Sequence, residues 1–406
     1  MSDVSSINST PIGERVHIGL FGRMGAGKSS LLNAITNQDA AVVSPLKGTT
    51  TDPVHRTMEL LPLGPVVIID TPGIDDSGEL GDLRIEKAKT VLRKVDIALL
   101  VVDGTEGLHD YDTELVNAFN EAGVKYIIVY NKSDLKPAQA RPNAPAELNA
   151  QTEIKVSSTT GENIHQLKQL IAQIGVSESE PQKLVADLLS PGDVVVMVIP
   201  IDSAAPKGRL ILPQQQVVRD VLDAGAISVI THPLGLPDAL QKLKGPPKLV
   251  VTDSQAFGEV SKLTPESIGL TSFSILMARY KGVLEDTVKH VEVIDTIKSG
   301  DKVLIAEGCT HHRQCEDIGT VKIPNWIRQR INAEPEFEFS SGSGFPTELS
   351  QFKLIIHCGG CMQNPREMRH RHSAANEAGV PITNYGIFIS YIKGILPRAI
   401  APFALV

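Results

Sequence analysis

The chain has 406 residues, 42% of them apolar and 21% charged, which suits a globular protein of two or three domains. Its net charge of −8 counts against nucleic acid or an anionic membrane as the principal partner. MSDVSSINST is too polar for a secretory leader, and no apolar run reaches the roughly 18 residues of a membrane helix. Four cysteines are too few for a disulfide framework, and three lie close to a histidine, which fits metal ligation in a reducing cytoplasm.

Residues 16–173 alternate apolar strand-like runs with helical stretches. VHIGLFG enters a glycine-rich turn, KSSLLNAIT follows as a helix, and VVIID, IALLVVD and KYIIVYN read as buried parallel strands. A polar joint, IGVSESEPQKLVADLLS, separates them from a second α/β stretch. There DVVVMVIPID, AISVITH and PKLVVTD are the strands, and QQQVVRDVLDAG and PDALQKL the helices. In the third stretch SFSILMARYKGVLEDTVKHVEVIDTI reads as one long helix. KVLIAEG and FKLIIHC are strands, and FEFSSG is a candidate strand; PNWIRQRI and REMRHRHSAANEAG are helices. The apolar C-terminal stretch, interrupted by Lys393, Pro397, Arg398 and Pro402, reads as a core helix and tail. The expected fold class is α/β, a phosphate-loop domain followed by two smaller α/β domains, with divisions at 1–175, 183–268 and 271–406.

Gly22-Arg-Met-Gly-Ala-Gly-Lys28-Ser29 fits the phosphate-binding loop G-x-x-x-x-G-K-[ST] between a strand and a helix. Gly22, Gly25, Ala26 and Gly27 let backbone N–H groups curl around phosphate oxygens. Lys28 reaches the β- and γ-phosphates, while Ser29 and Ser30 open the helix whose N-terminus favours an anion. Magnesium would be held by Ser29, by Asp70 of Asp70-Thr-Pro-Gly73 and by Thr50, first choice among Thr49, Thr50 and Thr51. Lys28, Thr50 and Gly73, whose N–H can meet the γ-phosphate, are the candidate catalytic groups. Asn131, Lys132 and Asp134 form a base-reading element: the Asp134 carboxylate accepts from N1–H and the exocyclic amine of guanine, a donor pair adenine lacks. Ser157 and Ser158 supply the last base-contacting loop.

These four elements resemble GTPases related to Era and to the tRNA-modifying protein TrmE, over roughly residues 14–173. The resemblance implies GTP with Mg²⁺. Ile74 stands where Ras-like enzymes place a water-orienting Gln, which predicts slow unaided hydrolysis. Gly25 stands where relatives with potassium-stimulated hydrolysis carry Asn, which counts against an intrinsic potassium site.

Cys309-Thr-His311 follows the strand KVLIAEG, and His357-Cys358-Gly-Gly-Cys361 ends the strand FKLIIH. If the two strands are neighbours, three thiols and two imidazoles converge at strand ends, where ligands collect in open α/β sheets. Unligated buried side chains and a zinc site are the alternatives to an iron–sulfur cluster. With three thiolates, the fourth position is a histidine, a carboxylate or an exchangeable external ligand; Cys315 reads as a bystander. Behind a GTPase-like domain, the pattern Cys-x-His…His-Cys-x-x-Cys resembles the HydF family of FeFe-hydrogenase maturation GTPases, over essentially the whole chain. That resemblance implies a 4Fe-4S cluster on Cys309, Cys358 and Cys361, with His311 as candidate fourth ligand and His357 in support. It further implies a scaffold that receives a di-iron CO/CN⁻ precursor from two radical-SAM maturases and delivers it to the FeFe-hydrogenase apoprotein. The middle domain would make a homodimer, with a tetramer open. A redox-sensing iron–sulfur GTPase and a ribosome- or tRNA-associated GTPase with a zinc domain are the rival readings.

Overall fold

A computed structural model describes residues 10–36, 54–71, 88–135, 153–177, 183–201, 210–308, 318–342 and 344–404. The chain divides into two compact units, Met1–Glu180 and Pro181–Val406.

The first unit is built on a sheet that, among the described residues, has six strands. They are β1 (Val16–Phe21), β2 (Val54–Leu60), β3 (Gly64–Asp70), β4 (Ile97–Asp103), β5 (Lys125–Asn131) and β6 (Glu153–Lys155), in the order β2-β3-β1-β4-β5-β6. Only β2 runs antiparallel, against β3. β4 is buried along IALLVV because helices cover both faces, the reason parallel strands read as unbroken apolar runs. On one face, Leu31, Leu32 and Ile35 of α1 (Lys28–Thr36) pack with Leu167 and Ile171 against Ile18, Leu20 and Leu99. On the other, Leu115, Val116 and Phe119 of α2 (Asp110–Glu121) cover Val67, Ile69 and Leu100. Gly22, Gly25 and Gly27 hold φ of 134°, 82° and 91°, so the chain turns sharply after β1 and becomes helical at Lys28.

The second unit carries two parallel sheets. One holds β7 (Val194–Val198), β8 (Ile227–Thr231), β9 (Leu249–Thr252) and β10 (Gly269–Ser272) in the order β10-β9-β7-β8. The other holds β11 (Lys302–Glu307), β12 (Glu336–Ser341), β13 (Phe352–His357) and β14 (Ile382–Asn384) in the order β12-β11-β13-β14. A single apolar cluster joins them. Val196 and Val250 of the first sheet and Val303 and Ile356 of the second belong to it, with Ile275, Ile387 and Phe388 between. The expected join at 268–271 falls in β10, which pairs with β9.

The long helix expected over 272–297 is instead broken. α3 (Phe273–Tyr280) is N-capped by Ser272, which accepts from Ile275 N, and it ends before Gly282, where φ reaches 74°. α4 (Leu284–Lys289) and a 3₁₀ turn (Val291–Thr296) follow. Apolar periodicity survives across such a break because all three pieces contribute to one cluster, through Ile275 and Ala278, Leu284, and Val291 and Ile294, so the pattern alone reads as one helix. β8 forms one border of its sheet and has no outer strand partner among the described residues. Ile227 and Ile230 on it are 51% and 49% exposed.

Candidate functional site

In the first unit the parallel strand ends converge. β1 delivers the loop of Gly22 to Gly27, β3 delivers Asp70, β5 delivers Asn131, Lys132 and Asp134, and the residues after β6 include Ser157 and Ser158. Two glycines are required by space. A Cβ on Gly22 would lie 2.2 Å from Val101 O, and one on Gly27 would lie 2.3 Å from Asn131 Nδ2. Lys28 is buried, and Nζ donates to Gly22 O at 2.8 Å and Arg23 O at 3.0 Å, so the loop is held in its curl. Ser29 and Ser30 stand exposed on the first turn of α1. Ser29 Oγ donates to Asp70 Oδ2 at 2.9 Å, while Asp70 Oδ1 is buried without a partner. Burial pushes the Asp70 carboxyl above its ordinary value, against the pull of Ser29, Lys28 and Arg56. Burial likewise pushes the Lys28 ammonium down, opposed by Asp70 and Asp112. A hydroxyl beside an under-satisfied carboxylate is the donor set a hard cation such as Mg²⁺ takes.

Asn131, 2% exposed, ties three loops together. Its Nδ2 donates to Ala26 O at 3.1 Å, and its Oδ1 accepts from Ser158 N at 3.1 Å and Ser158 Oγ at 2.8 Å. Lys132 takes φ of 64° and its Nζ meets Asp103 Oδ2 at 2.6 Å. Asp134 is exposed, with Oδ1 accepting from Ser157 Oγ at 2.6 Å. Asp103 escaped the sequence reading because it differs from other strand-end acids only by its pairing. Thr50 and Gly73 lie outside the described residues.

In the second unit β11 and β13 are parallel neighbours, with Ala306 opposite His357. Gly308 N–H, just beyond β11, donates to Cys358 Sγ at 3.0 Å, and Gly360 N–H does so at 3.4 Å. The loop needs its glycines: Gly360 has φ of 61°, and a Cβ there would meet Met368 Sδ at 2.6 Å. Gln363 anchors the loop through Nε2, which donates to Gly308 O at 2.6 Å and to Gly342 O at 3.4 Å. Lys281, wholly buried, donates from Nζ to Gln363 O at 2.6 Å. Burial pushes the Cys361 thiol up, with Lys281 opposing. Cys309, His311 and Cys315 lie outside the described residues. Among the described residues no group of three or more His, Cys, Asp or Glu side chains could hold a metal ion. Cys358 and Cys361 are two thiols in one tight loop, and the Sγ of Cys358 accepts backbone N–H groups, a donor set that a metal–sulfur group can use.

His357 is wholly buried, with Nδ1 2.8 Å from Cys358 O and Nε2 3.0 Å from Arg371 Nη1. Burial and then the Arg371 charge lower its pKa to about 3, so the ring is neutral. Arg371, Gln363 and Lys281 were not among the expected site residues. Arg371 and Lys281 are charged groups that sequence patterning assigns to the surface, and only tertiary contacts reveal their place.

The model of the hydrogen maturase F dimerization domain matches residues 184–282, and that of the hydrogen maturase F tetramerization domain matches 285–402; together they span more than half of the chain. The chain belongs to the hydrogen maturase F family. Ahead of those segments, residues 17–132 match the model described as 50S ribosome-binding GTPase, so this family member carries a GTPase domain. The tRNA modification GTPase MnmE of Streptococcus pyogenes serotype M28 (strain MGAS6180) is 33% identical over 162 residues, 40% of this chain and 34% of that protein. GTPase Der of Streptococcus pneumoniae (strain Hungary19A-6) is 30% identical over 200 residues, 46% of this chain and 45% of that protein. The chain thus spans less than half the length of these curated relatives. Among solved structures, the G domain of the T. maritima FeoB iron transporter is 23% identical. The match covers 39% of this chain and 98% of that one, with a TM-score of 0.30. Among the described residues no helix is long and apolar enough to cross a membrane.

Proposed function

We propose that this chain is a GTPase scaffold and carrier in FeFe-hydrogenase maturation. The observation that carries the reading is the union, in one chain, of a GTPase domain with both hydrogen maturase F segments, the second bearing a thiol loop. Gly22 to Ser30 cradle the GTP phosphates, and Ser29, Asp70 and Thr50 hold Mg²⁺. Asn131, Lys132, Asp134, Ser157 and Ser158 recognise guanine. Lys28 steadies the β- and γ-phosphates, and Thr50 and Gly73 complete the catalytic set for hydrolysis to GDP and phosphate, slow for want of a water-orienting Gln.

Cys309, Cys358 and Cys361 hold a 4Fe-4S cluster, with His311 as candidate fourth ligand. When bound, that group offers an exchangeable iron position. Around it this chain's residues orient the thiols: Gly308 and Gly360 donate to Cys358 Sγ, and Gln363 fixes the loop. The substrate is a di-iron CO/CN⁻ precursor received from two radical-SAM maturases and passed to the apo-hydrogenase in the cytoplasm. GTP state shifts partner affinity through residues 47–52 and 74–82. The half-exposed Ile227 and Ile230 on the border strand β8 support homodimerisation through the middle segment.

Co-expression with the two maturases and anaerobic purification test the reading. Infrared bands of CO and CN⁻ on the protein are expected. Normal iron content without those bands overturns the carrier role, and one zinc per chain without iron overturns the iron–sulfur assignment.

A further inference from the structure

His357 immediately precedes Cys358, and nothing in the covalent chain keeps its ring from a metal held there. The hydrogen bonds do. A guanidinium has only donors, so Arg371 Nη1, 3.0 Å from His357 Nε2, fixes that nitrogen as an acceptor. The ring proton therefore sits on Nδ1, which donates to Cys358 O at 2.8 Å. Both ring nitrogens are committed to protein atoms, and a metal-ligating imidazole needs one bare.

Arg371 is itself immobilised. It is 1% exposed, on α5 (Pro365–Glu377). Its Nε donates to Glu367 Oε1 at 2.9 Å and its Nη2 to Gly342 O at 2.7 Å, with the Phe345 ring centroid 4.9 Å from its Cζ. Three anchors besides the imidazole keep the guanidinium aimed at Nε2.

We infer that Arg371 is a positioning residue that locks His357 in one tautomer and holds its imidazole away from any metal–sulfur group on the adjacent thiols. His357 is then not the fourth ligand of such a group. This inference rests on the metal–sulfur reading above, and its first test does not.

In the metal-free full-length chain labelled with ¹⁵N-histidine, His357 is assigned with a His357→Gln control. The expected signal is a neutral ring protonated on Nδ1, with Nε2 accepting. Arg371→Met with Glu367→Gln, which removes both buried charges together, is expected to release Nε2 and give mixed tautomers. Arg371→Gln, too short to reach the ring, serves if the double variant does not fold. After anaerobic reconstitution in a His311→Ala background, pulsed EPR is expected to show no ring-nitrogen coupling while Arg371 is present. The Arg371 variants gain one coupling, and added His357→Gln removes it. A parent ring protonated on Nε2, a His357 coupling with Arg371 intact, or no tautomer change in the variants overturns the inference. If the parent takes up no iron, the metal–sulfur reading fails, and the tautomer measurement alone decides whether Arg371 holds the ring.

Discussion

Asn131→Ala is the most informative single change in the first unit. It removes three hydrogen bonds, from Nδ2 to Ala26 O and to Oδ1 from Ser158 N and Ser158 Oγ. At a net worth of about 1 kcal/mol each, the loss is about 3 kcal/mol. That is roughly a hundredfold in the folding equilibrium, yet below the ~5–15 kcal/mol stability of a typical domain. The unit should stay folded with its three nucleotide-facing loops unlinked. The sole tryptophan, Trp326, lies in the second unit, so its fluorescence follows that unit while far-UV circular dichroism follows both. In urea, the dichroism transition of the first unit should move to lower denaturant and the tryptophan transition should stay. Binding of a fluorescent GDP analogue should weaken at least tenfold. Asn131→Asp should cost more than Asn131→Ala although it keeps the acceptor for Ser158, because it sets a buried carboxylate against Ala26 O. A shift under about 1 kcal/mol, unchanged nucleotide affinity, or an equal shift of the tryptophan signal would refute the bridging role.

Gly27→Ala should abolish nucleotide binding in the same titration, since a Cβ there lies 2.3 Å from Asn131 Nδ2 at a φ of 91°. Lys28→Ala should lose GTP hydrolysis and keep iron uptake, and Cys358→Ser should do the reverse; a phosphate-release assay beside iron quantification separates them. Ile230→Lys on β8 should shift the chain toward monomer in analytical ultracentrifugation without changing its melting profile. For Asp286, burial alone would raise the carboxyl, but hydrogen bonds from His372 and Asn376 and the nearby His290 hold it below its ordinary value. Its contribution to stability is therefore complete above about pH 4 and is lost as pH falls through the lower folded value. Asp286→Asn should lower stability at pH 7 and flatten acid unfolding below pH 4, read by denaturant titration at each pH.

The legible parts of this protein were those written in contiguous residues. The phosphate loop, Asp70 and Asn131 to Asp134 stand in short contiguous motifs beside apolar runs, and periodicity places those runs as the strands whose ends they occupy. The thiol loop was legible for the same reason. The break at Gly282 was not, because Ile275 and Ala278 of α3 and Leu284 of α4 enter the same apolar cluster and so preserve a continuous pattern. β14, three residues long, is too short to show alternation. Arg371 was hidden in REMRHRHSAANEAG, where a run of charged residues reads as a solvated face. Its burial is set by Glu367, Gly342 and Phe345, which only folding assembles.

The shared core of the second unit bears on how this architecture is inherited. The boundary between the two family segments, at 282–285, passes between α3 and α4, while bonds cross it repeatedly. Asn384 Nδ2 donates to Ser274 O at 3.1 Å, and the guanidinium of Arg398 donates to Ser261 O at 3.0 Å and to Thr264 O at 2.8 Å. A gene fusion or recombination cut there would expose Ile275, Ile387 and Phe388 at once. The two segments can be exchanged between lineages only as a pair, so substitutions on one side of the cut are screened against the other. Over generations they should drift as a single sequence.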